Sequence, residues 1–230
     1  MENNQVTREV LCVDALEWLA EKEILEGDSI VASMPDISEF TGWPLSKWKE
    51  WFQKTAELIM SKADADGVAI FYQSDIKHEG VWVDKSFLVQ KAAEQAGLEL
   101  LWHKIICRVK PGYSTFGRPA YSHVLCFSKN VRLTELSKST ADVIPELGQK
   151  TWERGMGLEV CLMIAEFIKN HTNSTRLIHP FCGEGAMIAA ANAVGLSSLG
   201  IERSPKRAKK ALKLQVSSDL RSWIKDSEQE

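Results

Sequence analysis

The chain has 230 residues, a formal net charge of −3, and 44% hydrophobic and 26% charged residues. These are ordinary proportions for a globular protein long enough to bury a substantial core. A slightly acidic balance gives no overall attraction for nucleic acid, so contact with a polyanion has to be local. The start, residues 1–5, is polar and unlike a signal peptide, and no apolar run is long enough to cross a membrane. A cytoplasmic protein without membrane contact is expected. Cys12, Cys107, Cys126, Cys161 and Cys182 are scattered, with no CxxC pair or His/Cys cluster at ligand spacing. They read as reduced core residues, and no metal site is expected.

In chain order, a strand is expected over 9–13, then Asp14 and an amphipathic helix over 15–22. Gly27-Asp28 breaks the chain, and 29–33 reads as a buried strand leading into Ser33-Met34-Pro35-Asp36. After a turn a helix follows over 45–62, with Trp48, Trp51, Phe52, Leu58 and Ile59 on its apolar face. Residues 68–72 form the next strand. Residues 73–85 are too polar and irregular for a core element. They lie beyond the carboxyl end of a strand, where α/β sheets place site-forming loops, so Asp75 and Lys77 are candidate substrate contacts.

A helix over 86–96 closes on Gly97 as its C-cap. Strands over 99–109 and 122–128 are joined by a loop rich in glycine, proline, aromatics and cations. Lys110, Tyr113 and Arg118 in that loop are candidate substrate contacts; the plain alternative is a long hairpin loop with solvated cations. A polar connector over 131–150 leads to a helix over 158–170. The chain ends with a Lys/Arg-rich helix over 205–214, whose cations form a solvated face or meet phosphate, and an acidic tail over 226–230 expected to fray.

The whole is organised around Leu177-Ile178-His179-Pro180-Phe181-Cys182-Gly183-Glu184-Gly185-Ala186. A short apolar run reaches a Gly-x-Gly turn and then an alanine-rich helix, the pattern of a strand, a tight turn and a helix N-terminus with free N–H groups. A second apolar stretch ends in Glu202, about 20 residues beyond the first glycine, where an acid can accept hydrogen bonds from a ribose. An ordinary βαβ unit with a softened turn is the bland alternative.

His179-Pro180-Phe181-Cys182-Gly183-Glu184-Gly185 resembles the Asp-Pro-Phe-x-Gly-x-Gly motif of S-adenosylmethionine (SAM)-dependent amino-methyltransferases. Ser33-Met34-Pro35-Asp36 is similar to their catalytic motif, (Asp/Asn/Ser)-Pro-Pro-(Tyr/Phe/Trp). The order, catalytic motif first, is that of the permuted group. His179 replaces the usual Asp, Met34 the first Pro, and Asp36 the aromatic residue.

The resemblance implies one Rossmann-like α/β domain over 1–230. Its sheet would be doubly wound and mostly parallel, with one antiparallel strand near 122–128. It implies SAM as cofactor, held by His179, Pro180, Phe181, Cys182, Gly183, Glu184 and Gly185, with its ribose on Glu202. Asp14 would lie near the adenine, or simply cap the helix that follows it. Trp152 occupies the segment that in relatives closes over the methionine end.

Ser33 and the Pro35 carbonyl would accept hydrogen bonds from an exocyclic amine. Asp36 cannot stack on a base; it would pair with a donor edge, act as a base, or merely cap the turn. Trp43, Trp48 or Tyr113 could supply the stacking surface, although Trp48 and Trp51 also suit a core. In DNA-modifying relatives a sequence-reading domain often occupies the interval 131–150, which is too short for one here. The implied substrate is therefore a nucleic-acid base, RNA such as tRNA ahead of DNA. A non-catalytic SAM-binding relative is the third reading.

Overall fold

The computed structural model describes residues 5–135 and 140–225. The acidic tail at 226–230 and the middle of the 131–150 connector lie outside the described residues. The elements in order are β1 (Arg8–Leu11), α1 (Ala15–Ala20), β2 (Asp28–Ala32), a 3₁₀ turn (Ile37–Glu39), α2 (Leu45–Ser61), β3 (Ala69–Gln73), β4 (Ile76–His78), β5 (Val81–Val83) and α3 (Lys85–Ala96). There follow β6 (Glu99–Cys107), β7 (Tyr121–Ser128), β8 (Val143–Ile144), α4 (Leu158–His171), β9 (Arg176–His179), α5 (Ala186–Ala193), β10 (Ser197–Ile201), α6 (Pro205–Lys213), β11 (Gln215–Val216) and β12 (Trp223–Ile224).

Eight strands form one sheet in the order β1-β10-β9-β2-β3-β7-β6-β8. Its pairs are parallel except those made by β7, which runs antiparallel to both β3 and β6. Side chains alternate across the pleat, so Val31, Ile70 and Tyr72 face a core with α4 and α5. Ile30, Ala32, Ala69 and Phe71 face a second core with α1, α2 and α3. Helices therefore cover both faces, the doubly wound arrangement that the alternating strand and helix periods predict.

Local sequence explains the boundaries that matter. In α2, Trp48, Phe52, Ala56 and Ile59 recur at helical spacing and are fully buried, whereas Trp51 and Leu58 are only partly covered. Truncating Trp48 or Phe52 to Ala would cost roughly 3–5 kcal/mol. Helix α3 begins on Asp84, whose carboxylate accepts from the Phe87 amide, and ends on Gly97 at φ +69°.

Several expectations need correction. Residues 73–85 contain a regular hairpin, β4 against β5, standing apart from the main sheet and turning at Glu79-Gly80. The connector contributes β8, which adds to the sheet edge parallel to β6. The hairpin of β11 and β12 has too few residues to show a period. Cys12, just past the end of β1, is exposed, while the other four cysteines are buried; all five are free thiols. Among the described residues no helix is long and apolar enough to cross a membrane.

Candidate active site

Strands β9 and β2 are neighbours, with Asp28 opposite Arg176 and Ile30 opposite Ile178. From β9 the chain crosses one face through α5 to β10, and from β2 it crosses the other face through α2 to β3. Neighbouring strands whose connections leave in opposite directions open a crevice beyond their carboxyl ends. A cavity of about 520 Å³ lies there, within the range typical of small-molecule sites. It brings together Ser33, Pro35 and Asp36 from the end of β2 with His179, Pro180, Phe181, Cys182, Gly183 and Glu184 from the end of β9. Asp14, Asp75, Lys77, Arg118, Trp152 and Glu202 also line it.

The β9 side is a tight backbone cradle. Gly183 N donates to Glu202 Oε2 at 3.1 Å, Ser204 N donates to Glu202 Oε1 at 2.8 Å, and Cys182 N donates to the Ile201 carbonyl at 3.0 Å. Glu202 thus ties the glycine turn to the end of β10, and each of its oxygens keeps a lone pair for a further donor. Gly185 is not in the lining. It caps α5 at φ +89°, and a Cβ there would lie 2.6 Å from Ala211 Cα, so its role is to let α5 and α6 meet.

His179 is buried, and burial pushes its imidazole down to about 3, so it is neutral. Burial likewise raises the Cys182 thiol to about 12, with the Glu202 carboxylate adding to the effect. Trp152 lies over Gly183 and carries the Arg207 guanidinium 4.8 Å from its ring centre. Asp14 caps α1, its Oδ1 accepting from Leu16 N at 2.8 Å.

On the β2 side Asp36 caps the 3₁₀ turn, accepting from Ile37 N at 3.0 Å within a capping box completed by Glu39. Its Oδ1 also sits 3.1 Å from Lys85 Nζ. Lys85 is almost wholly buried beneath Trp48 and Phe52. Burial pushes its ammonium below the usual lysine value, against the opposing pull of Asp36, Asp75 and Glu39.

Asp75 accepts from Trp82 Nε1 at 3.0 Å and from the Lys85 amide at 2.9 Å, and lies 3.1 Å from His123 Nε2. Burial alone would raise its carboxyl, but these hydrogen bonds hold it below the ordinary value. His123 Nδ1 is in turn 2.8 Å from His103 Nε2. An ionised Asp75 makes His123 Nε2–H the donor to the carboxylate, and in a neutral His123 the Nδ1 then accepts from His103 Nε2. Asp75, Asp84 and His123 bring ligand-type atoms within 4.8 Å of one another; the Asp75 oxygens are taken up by the hydrogen bonds just described, and Asp84 caps α3.

Asp75 lines the cavity but is buried beneath β4 and β5, its carboxylate held by three hydrogen bonds. Lys77 is exposed and rests 5.4 Å from the Trp82 ring centre. Arg118 pairs with Glu153 at 3.0 Å on the pocket rim. Lys110 and Tyr113 are exposed and outside the lining. Trp48 belongs to the core, and Trp43 packs behind Phe40 and Trp51, which line the cavity while Trp43 does not.

Sequence reasoning missed Lys85, His123, Gln73, Arg108 and Lys150. The one available signal was Lys85, a cation in the first turn of a helix, where the dipole disfavours it. Gln73 lines the pocket, and its buried Nε2 has no hydrogen-bond partner among the described residues.

No protein-family model matches the sequence, and neither does any curated protein. Solved structures do. TTHA0409 from Thermus thermophilus, a candidate DNA modification methylase complexed with S-adenosyl-L-methionine, superposes with TM-score 0.67 at 16% identity, covering 90% of this chain and 93% of that one. The cytosine-N4-specific PvuII DNA methyltransferase gives TM-score 0.69 at 14% identity, covering 90% and 86%. The chain has the methyltransferase fold. M1.HpyAVI in its SAM complex matches at TM-score 0.58 and 16% identity, covering 89% of this chain and 98% of that one. The two for which a nucleic acid is named, TTHA0409 and PvuII, carry DNA in their names, which lends the expectation of RNA no support.

Proposed function

We propose that this chain is a SAM-dependent amino-methyltransferase acting on a base of DNA, with one methyltransferase domain spanning its length. The observation that carries the reading is the meeting of residues 33–36 and 179–184 in one cavity at the point where the sheet order reverses. The shared fold and the SAM complexes of two relatives support it.

The lining fits SAM. The N-terminus of α5 has no side-chain cap, so its first N–H groups face the cradle unpaired. Glu202 keeps acceptor capacity for ribose hydroxyls, and Asp14 stands where it can take an adenine donor. Neutral His179 offers hydrogen bonding in place of a carboxylate. When bound, SAM supplies an electrophilic methyl group. The protein then has to hold an amine in line with it and accept the amine's proton. Ser33 Oγ and the Pro35 carbonyl are the acceptors that orient the amine. Asp36, held by Lys85, presents a carboxylate to a donor edge of the base and is the group placed to take the proton. The orphaned Gln73 Nε2 would donate to an acceptor on the same base.

The test incubates the protein with isotope-labelled SAM and, separately, with DNA and RNA. Label in DNA is the expected result. Label in RNA would move the substrate assignment, and SAM binding without transfer would make the chain a non-catalytic relative.

A further inference from the structure

The cavity wall built from residues 108–118 and 147–156 has a charge opposite to that of the chain. It carries Arg108, Arg118, Lys150 and Arg154, with Glu153 as its acid, in a protein of net charge −3. Two of these cations already have carboxylates: Arg154 lies 3.7 Å from Glu39, and Arg118 3.0 Å from Glu153. Among the described residues Lys150 Nζ donates only to the Glu153 carbonyl, at 2.6 Å. Arg108, half-buried at the end of β6, has no carboxylate or hydrogen-bond partner for its guanidinium among the described residues. Partial burial and the fields of Arg108 and Arg118 push the Lys150 ammonium down, with Glu153 opposing them.

Lys150 thus lies in the fields of two further cations, Arg108 and Arg118, and the acid beside it, Glu153, already has its carboxylate engaged by Arg118. Such an arrangement is unfavourable until an anion enters. A second observation points to the kind of anion. The loop carrying Arg118 also holds Tyr113 at 70% exposure and Phe116 fully exposed, next to the wall but outside the cavity. Exposed aromatics beside a cationic groove are what stacks on and tracks a nucleic-acid strand.

We propose that Arg108, Lys150 and Arg118 form a phosphate site that takes a backbone phosphodiester of the strand whose base enters the cavity. The proposal rests on the nucleic-acid reading above. The site would fix the register of the strand, while the cavity interior selects the base.

The test is the full chain carrying Arg108→Gln and Lys150→Gln. It is titrated with labelled duplex DNA and RNA oligonucleotides over a range of salt, and with a mononucleoside 5′-phosphate by calorimetry; SAM affinity reports folding. The double variant should bind the oligonucleotide roughly 10- to 100-fold more weakly, with a salt slope smaller by about one or two, and SAM unchanged. Oligonucleotide affinity and slope equal to wild type would overturn the site and leave the nucleic-acid reading standing. If the wild type binds no oligonucleotide, that reading fails and the mononucleotide decides. Binding lost in the variant upholds a phosphate site, and no binding to wild type overturns it. Should the double variant not fold, each single variant is read by the same outcomes.

Discussion

Lys85 Nζ lies 3.1 Å from Asp36 Oδ1, with the lysine side chain 4% exposed and the aspartate 36% exposed. The pair is therefore unequal. Asp36 can be solvated from the cavity, whereas Lys85 depends on Asp36 for its counter-charge. Asp36→Asn strands an ammonium in an apolar wall, while Lys85→Met removes the buried charge and keeps the stem volume. Asp36→Asn should destabilise by about 1–3 kcal/mol, below the loss for a fully buried pair because water reaches one partner, and Lys85→Met by less. Urea melts of both variants check the ordering; equal losses would mean that the two charges do not depend on each other.

The same pair gives a pH prediction. Burial places the folded Lys85 below its ordinary value of 10.5. Between the folded value and 10.5 the unfolded chain holds the proton and the folded chain does not. Stability contributed by this group therefore rises with pH across that window. The rise should be steeper in Asp36→Asn, where only the fields of Asp75 and Glu39 still offset the burial, and flat in Lys85→Met.

Activity separates the roles at the site. Asp36→Asn, nearly isosteric, should lose methyl transfer by on the order of 10²–10⁴-fold with SAM affinity intact. Equal turnover would reduce Asp36 to the cap of its 3₁₀ turn. Glu202→Ala should instead weaken SAM by about 1.5–3 kcal/mol, since it removes an anionic acceptor and frees the Gly183 amide it holds. Calorimetry on the two variants distinguishes them.

His179 gives an acid-side signature. Its folded value of about 3 lies below the ordinary 6.5, so below 6.5 the unfolded chain takes up a proton that the folded chain refuses. Stability therefore drops as the pH is lowered there, by up to about 1.4 kcal/mol per pH unit for one group. His179→Gln should remove that share of the slope in melts between pH 6 and 4. An unchanged slope would mean that the imidazole protonates in place.

Gly185→Ala should cost roughly 1–3 kcal/mol from its positive φ alone, and more because the new methyl group meets α6. Ala211→Gly should not restore it, since the nearest atom, at 2.6 Å, is Ala211 Cα rather than the side chain.

The strands and helices of the sheet were legible because each has a clear period: Trp48, Phe52, Ala56 and Ile59 for α2, and alternation across Ile30, Val31 and Ala32 for β2. The antiparallel β7 and the pairing of the two motif segments were what the family resemblance implied. The hairpin over Asp75 was not legible, since three-residue strands show no period and Asp75 reads as a surface acid until β5 covers it. Lys85, Arg108 and Lys150 escaped for a related reason. A lone cation in a sequence reads as solvent-facing, and only the fold tells which one lacks water or an acid. Tyr113 and Lys110 were chosen for composition, and the fold adds that both are exposed and lie outside the cavity lining.

Strand β1 sits at the sheet edge with β10 as its partner, Arg8 opposite Ser198 and Leu11 opposite Ile201. During synthesis β1 thus has nothing to pair with in this sheet until β10, about 190 residues later, has been made. At ordinary translation rates of about 5–20 residues per second, that interval is roughly 10–40 s. For that time β1 and its exposed Cys12 trail as an unpaired edge. The cradle formed by Gly183 and Glu202 does not yet exist, so the pocket closes only once Glu202 has followed β10 out.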